Sequence, residues 1–333
     1  MLPRMIVVTG GAGFIGSNIV GRLCEQGQYD VVVCDRLGSA NDGKWLNIAK
    51  HQVADFWSPE ELFVQLERHA TRIDAVIHMG AISATTELDA DLILRTNFTL
   101  SRDLWDWCSN NDVRFVYASS AATYGDGSKG FEDDNSLNAL NSLRPLNAYG
   151  YSKYLFDQYA ITQTSRGHSP RQWAGLKFFN VYGPNEGHKG SMKSVVAQIW
   201  PKVSSGDTVS LFRSDHPDYE DGGQLRDFVF VDDIVAIIEW LLQHPAVNGV
   251  FNAGSGHARS FADLAKATFA AAGKVPDIEY VDMPAALVGR YQYFTEANMQ
   301  RLREAGYERP MTSLEEGVRQ YVQGFLSTND PYR

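Results

Sequence analysis

Cysteine is scarce in this chain. Cys24, Cys34 and Cys108 are an odd three among 333 residues, with no Cys-x-x-Cys pair. That excludes a disulfide framework and a thiolate metal site, and predicts reduced, mostly buried thiols in a reducing compartment. Long apolar runs are missing as well. None reaches the roughly 18 residues of a membrane span. The chain enters a strand-like run almost at once, without a charged-then-apolar leader, so the expected compartment is the cytoplasm. Nor is there an excess of positive charge: 30 Lys and Arg against 40 Asp and Glu give a net charge of −10. A broad nucleic-acid or anionic-membrane surface needs a clustered positive field, and this balance excludes one. A local basic pocket is untouched by that argument. Neither repeats nor low-complexity tracts occur. What remains is an ordinary globular composition, 44% hydrophobic and 12% aromatic, enough to fill one large core or two closely joined ones.

The apolar pattern predicts an α/β fold. Short continuous apolar runs at residues 5–9, 31–34, 75–78, 114–118 and 175–179 read as buried strands. Helical spacing fills the gaps at 14–25, 60–68, 91–108 and 149–164. Strands without polar alternation, separated by helices, mean a parallel sheet covered on both faces, in a doubly wound Rossmann arrangement. Beyond residue 183 the rhythm loosens. Helical stretches at 191–204, 232–243 and 261–271 are separated by strand-like pieces, one of them at 249–252. The acidic, turn-rich segment 214–224 reads as an exposed insertion. The predicted organisation is a dinucleotide-binding domain over 1–180 and a smaller α/β substrate domain over 181–333, interleaved with the first by a returning chain.

Two constellations carry chemistry. Between the first strand and helix lies Thr9-Gly10-Gly11-Ala12-Gly13-Phe14-Ile15-Gly16. Glycines there let the backbone approach a pyrophosphate, and the helix N-terminus adds free N–H groups. Gly11, Gly13 and Gly16 fit G-x-G-x-x-G, and Asp35 ends the next strand near the expected distance. Asp35 suits a ribose hydroxyl and so NAD, whereas Arg36 and Lys44 suit the 2′-phosphate of NADP. The two cations favour NADP. The second constellation is Ser119-Ser120 after the strand 114–118, with Tyr149 and Lys153 four apart on one helix face. An ammonium near a phenol favours the phenolate, and a serine hydroxyl can hold a substrate oxygen. Tyr151 points to another face. His78 reads as structural, with the loop after it lining the cofactor. Trp105 and Trp107 read as packing, and His188 has no metal-partner pattern, so no metal site is expected.

In their order, TGGAGFIG, SSAATYG, YGYSK and FFNVYGP resemble the extended short-chain dehydrogenase/reductase family over nearly the whole chain. The resemblance implies a Rossmann domain with a smaller substrate domain, a nucleotide-sugar substrate, and Ser120, Tyr149 and Lys153 as the catalytic set. It also implies cofactor contacts from Gly10, Gly13, Phe14, Ile15, Gly16, Asp35, Arg36, Lys44, Met79, Gly80, Ala81, Ile82, Ser83, Asn97, Lys153 and Val181. Within the family, NEGHKGSM at 185–192, LRDFV at 225–229 and GRYQ at 289–292 resemble the branch that epimerises an ADP-heptose at C6. That implies Lys189 as a second acid/base. Substrate contacts are then implied for Ser120, Asn180, Ser191, Gln198, Leu211, Phe212, Arg213, Ser214, Arg226 and Tyr291. A homo-oligomer, in pentameric form, and a place in lipopolysaccharide core biosynthesis follow from the same resemblance. The chain departs from the branch at the insertion over 215–223 and at Pro59, where a cofactor-side lysine is expected.

The reaction class narrows further. Dehydratases of the family carry an Asp–Glu pair after the active-site hydroxyl, and here Ala121 and Ala122 stand there. Elimination therefore lacks its proton donor. Epimerisation through a ketone needs a donor on each face of the turning carbonyl, and Lys189 can serve the second if burial and neighbouring cations lower its pKa. The competing readings are a 4-epimerase or reductase on another nucleotide sugar, and a non-catalytic dinucleotide sensor. The intact Ser120, Tyr149 and Lys153 speak against the sensor.

Overall fold

The computed structural model describes residues 4–84, 87–284 and 292–333. Its centre is a seven-stranded sheet built from β1 (Met5–Thr9), β2 (Asp30–Cys34), β3 (Asp55–Trp57), β4 (Ile73–His78), β5 (Arg114–Ser120), β6 (Trp173–Phe178) and the distant strand Gly249–Ala253. Every pairing is parallel, and the spatial order runs from the distant strand through β6, β5, β4 and β1 to β2 and β3. This is the doubly wound order, with its reversal beside β1. Side chains alternate across each strand, so Ile6 and Val8 enter one apolar layer while Val7 enters the other. The first layer is shared with Ile19 and Leu23 of the helix Phe14–Gln26, the second with Trp105, Phe115 and Phe156. Both tryptophans expected to pack are buried.

The C-terminal part adds β7 (Asn180–Tyr182), β8 (Val209–Phe212), β9 (Leu225–Phe230), and then, after the distant strand now numbered β10 (Gly249–Ala253), β11 (Ala258–Ser260) and β12 (Ile278–Val281). β9 joins β7 and β11 in one small sheet, and β8 joins β12 in another. The helix Phe261–Ala271 packs between them on Leu211 and Val203. The helical stretch expected from residue 191 begins later. Residues Gly187–Met192 form a 3₁₀ segment broken at Gly190, whose φ of 56° is left-handed, and the α-helix is Val195–Ser205, capped by Ser194. The segment 214–224 is a mostly exposed loop in which His216 and Tyr219 pack on Tyr293. Among the described residues, no helix is long and apolar enough to cross a membrane.

Candidate active site

The glycine loop turns at the carboxyl end of β1. Gly10 has a φ of 65°, and a Cβ there would lie 2.6 Å from the backbone nitrogen of Gly80. A Cβ on Gly16 would lie 2.1 Å from the Gly10 carbonyl oxygen. Gly10, Gly13 and Gly16 line a cleft of about 280 Å³. Gly11 is buried against Val33 instead. The first slot of the motif is therefore filled by Gly10, one residue earlier than the spacing G-x-G-x-x-G assigns. No side chain caps the helix Phe14–Gln26, which leaves its first N–H groups for an anion. These residues fit a dinucleotide pyrophosphate.

Around the cleft, Asp35 accepts from the Ala12 N–H at 3.0 Å and is paired with Lys44 at 2.7 Å. Arg36 is exposed and paired with Glu60. Met79, Gly80, Ala81 and Ser83 line the cleft. Ile82 is locked by Asn97, which accepts from its N–H at 2.8 Å and donates to its carbonyl at 3.0 Å. Asn97 sits in a π-helical turn, Leu94–Thr99, a deviation common at functional sites. It shapes the loop from behind. His78 does likewise: its ring joins Thr9 Oγ1 at 2.6 Å and Ser101 Oγ at 2.9 Å, and Thr9 also accepts from Gly80 N–H. Burial, then the Lys153 charge, lowers its pKa to about 3, so the imidazole is neutral. His188, assigned nothing by its sequence, lines the cleft and meets Asn47 at 3.1 Å.

Ser120 ends β5, and Tyr149 and Lys153 lie on the helix Ala148–Ser165. Asn147 caps that helix by accepting from Gly150 N–H. Gly150 is tight against Ala122, whose carbonyl oxygen would be 2.7 Å from a Cβ there. That contact sets the helix against the turn following Ser120. Burial raises the Tyr149 pKa, and a hydrogen bond with Ser120 draws it back. Ser120 thus relieves Tyr149 in this structure, and Lys153 lies one turn further along the same helix. Lys153 is lowered to about 8, chiefly by burial, while Asp157 one turn on holds it up. Asp157 is fully buried. It accepts from Tyr117 at 2.9 Å and Ser119 at 2.8 Å, and pairs with Lys177 at 2.8 Å. Sequence reasoning missed Asp157, because its partners come from two other strands. Tyr151 is exposed on another face.

A second cavity of about 490 Å³ adjoins the first, and Phe14, Ile15, Ser83, Tyr149, Phe178 and Lys189 line both. Ser120, Asn180, Val181 and Arg226 line the second alone, so Val181 falls on the substrate side. Lys189, Lys193 and Arg226 give it three cations, and no carboxylate lines it among the described residues. The Lys189 ammonium lies 5.0 Å from the centre of the Phe14 ring. Its pKa is lowered by burial, which the Glu186 charge opposes, rather than by neighbouring cations. Gln198, Leu211 and Phe212 line a smaller cavity that shares Val195 and Phe261 with the second, and Gln198 donates to the Ser191 carbonyl at 3.2 Å. Arg213 is exposed and pairs with Asp282 at 2.9 Å, while Ser214 N–H donates to Asp221. Tyr291 lies outside the described residues. No group of three or more potential metal ligands occurs among those described.

A glycine cradle, a Ser–Tyr–Lys set and an adjoining cationic cavity define a dinucleotide-dependent enzyme acting on an anionic substrate. The chain belongs to the NAD dependent epimerase/dehydratase family, whose pattern matches residues 6–254. An ADP-L-glycero-D-manno-heptose-6-epimerase of Nitratidesulfovibrio vulgaris is 49% identical over 331 residues, covering 98% of this chain and 100% of that protein. The crystal structure of the Helicobacter pylori ADP-L-glycero-D-manno-heptose-6-epimerase superposes with a TM-score of 0.77 at 26% identity, covering 97% of this chain and 96% of that one. A Thermus thermophilus UDP-glucose 4-epimerase in complex with NAD gives 0.70 at 27% identity, covering 96% and 98%.

Proposed function

We propose that this protein inverts C6 of ADP-D-glycero-D-manno-heptose to the L-glycero-D-manno epimer, by transient oxidation to a ketone and re-reduction. The observation that carries this reading is that Tyr149 and Lys189 both line the junction of the two cavities. A nicotinamide held in the cleft supplies hydride transfer in both directions. Tyr149 in its phenolate form, which the Lys153 ammonium favours, takes the proton of the substrate hydroxyl. The ketone then turns, and its oxygen takes a proton from Lys189. Arg226 and Lys193 hold the diphosphate, for which cationic side chains supply charge-assisted hydrogen bonds. Lys153 steadies the cofactor-side hydroxyls and stays largely protonated at neutral pH. A lining free of carboxylates, among the described residues, speaks for epimerisation over water elimination.

NADP is the proposed dinucleotide. Lys44 neutralises Asp35, removing the repulsion a 2′-phosphate would meet. Arg36 is held by an exposed, solvent-screened ion pair with Glu60, so a phosphate can recruit it. Arg36→Ala is expected to weaken NADP about tenfold relative to NAD, one phosphate contact of roughly 1.4 kcal/mol, read by fluorescence titration.

The decisive experiment incubates the purified protein with ADP-D-glycero-D-manno-heptose, without added cofactor, and follows the C6 proton by NMR. Interconversion of the epimers is expected. Stoichiometric consumption of added cofactor would overturn the reading. Lys189→Met separates it from a 4-epimerase or reductase acting on another nucleotide sugar: about 10²–10⁴-fold loss is expected for the 6-epimerase and little for the others.

A further inference from the structure

We propose that Glu186 is a positioning residue of the second proton-transfer site, anchoring the Lys189 loop from beneath and setting a fixed negative charge beside its ammonium. The proposal rests on the reading of Lys189 as the second acid/base. Glu186 is 1% exposed. Its Oε2 accepts from Ser194 N–H, and its Oε1 accepts from Ser194 Oγ at 2.6 Å and Tyr321 Oη at 3.0 Å. Its carbonyl accepts from Lys189 N–H at 3.0 Å. One residue thus joins three pieces: the Lys189 loop, the Ser194 cap of the helix Val195–Ser205, and the helix Leu314–Tyr321. Ser194 and Lys189 line the substrate cavity whereas Glu186 and Tyr321 do not, so the carboxylate organises Lys189 from behind the lining.

The charges around Lys189 explain why a carboxylate is useful there. His188 beside it is neutral, its pKa lowered to about 4 by burial and then by Lys44 and Lys189. Lys193 and Arg226 line the substrate cavity with it, as does Tyr149, whose pKa burial raises and Ser120 lowers. On the cofactor side are Lys153, Lys44 and Asp35, the last two paired with each other. Burial already disfavours the ammonium, and additional cations would do so further. Glu186 opposes that. Burial raises the pKa of Glu186 itself, and the three donors around its carboxylate and the Lys189 charge pull it back toward the charged form. A lysine that must both hold and release a proton needs its affinity near the working pH, so both pulls are required.

The test is the pH dependence of Lys189 acylation in the enzyme as purified, with its bound cofactor, read by mass spectrometry of the peptide containing residue 189. Glu186→Gln is expected to move the labelling midpoint down by about one unit, the lower end of what a nearby opposite charge imposes. Near pH 7 that gives labelling about tenfold faster. It should also lower kcat with KM nearly unchanged. Ser194→Ala cuts the Oγ bond to Glu186, keeps the backbone N–H bond and removes no charge, and should leave the midpoint in place. Glu186→Asp withdraws the charge by one methylene and should shift it less, which keeps the test available where the Gln variant does not fold. An unmoved midpoint in folded Glu186→Gln, or an equal shift in Ser194→Ala, overturns the proposal. Full activity in Lys189→Met would instead overturn the two-base reading on which it rests, so the two failures are separable.

Discussion

At single residues in this site, burial and hydrogen bonding pull against each other. Tyr149 is raised by burial and relieved by Ser120, and Lys153 is lowered by burial and supported by Asp157. His78 shows the case where burial prevails. Its ring is wedged between Thr9 and Ser101 with both nitrogens engaged, and it stays neutral down to about pH 3. Unfolding returns the ring to a histidine's ordinary value near 6.5. The folded state then binds fewer protons than the unfolded state wherever the pH lies below about 6.5. Stability from this residue is present above that value and is lost as pH falls toward 3. The slope is up to about 1.4 kcal/mol per unit, so about 2 kcal/mol is lost between pH 7 and 5. His78→Gln should lower stability at pH 7 yet flatten this dependence. Urea unfolding midpoints at pH 7 and 5 check it, and an unchanged pH slope in the variant would count against a neutral His78.

At the level of elements, the phosphate loop depends on backbone approach. The Gly16 position tolerates no side chain, since a Cβ there meets the Gly10 carbonyl oxygen at 2.1 Å. Gly16→Ala must push the helix Phe14–Gln26 away from the turn. Isothermal titration should find dinucleotide affinity reduced at least tenfold, with the unfolding midpoint lowered as well, within the 1–3 kcal/mol typical of overpacking. Wild-type affinity in that variant would mean the cradle is not where phosphate binds. This loop, the strand carrying Ser120 and the helix carrying Lys153 were legible because glycine spacing, continuous apolar runs and helical periodicity are local signals. The start of the helix Val195–Ser205 was not. The expected stretch began at Ser191, but Lys193 and Ser194 have ψ of 157° and 156°, so the helix starts only after them and the true cap is Ser194. The spacing G-x-G-x-x-G points to Gly11, whereas the family resemblance already implies Gly10, and it is Gly10 that packs on Gly80. Asp157, Glu186 and His188 acquire their surroundings from elements far away in sequence, and no spacing rule encodes that.

For the whole molecule, the apolar core and the main sheet run across the boundary expected at residue 180. β10 returns from the C-terminal part to pair with β6 from Gly249↔Ala174 to Ala253↔Phe178, closing that edge of the main sheet. The preceding helix, Val231–Gln243, sends Ile234, Val235, Ile237, Ile238, Leu241 and Leu242 into the same apolar layer as Val20 and Leu23. Polar bonds cross as well. Buried Arg114 donates to the Leu242 carbonyl at 2.6 Å, and Gln172 donates to those of Leu241 and His244. A fragment 1–180 loses all of these. At about 1.5–3 kcal/mol for each large side chain, the six missing from that helix alone amount to on the order of 10 kcal/mol. That matches the whole net stability of a typical domain, about 5–15 kcal/mol. The fragment would also expose β6 as an unpaired edge flanked by apolar surface, a template for association. Expressed alone, 1–180 is therefore expected to aggregate or to lack a cooperative thermal transition, while the full chain melts cooperatively. Light scattering and circular dichroism read both properties. A soluble, monomeric 1–180 with a sharp melt would show instead that the dinucleotide half is self-sufficient and that β10 only decorates it.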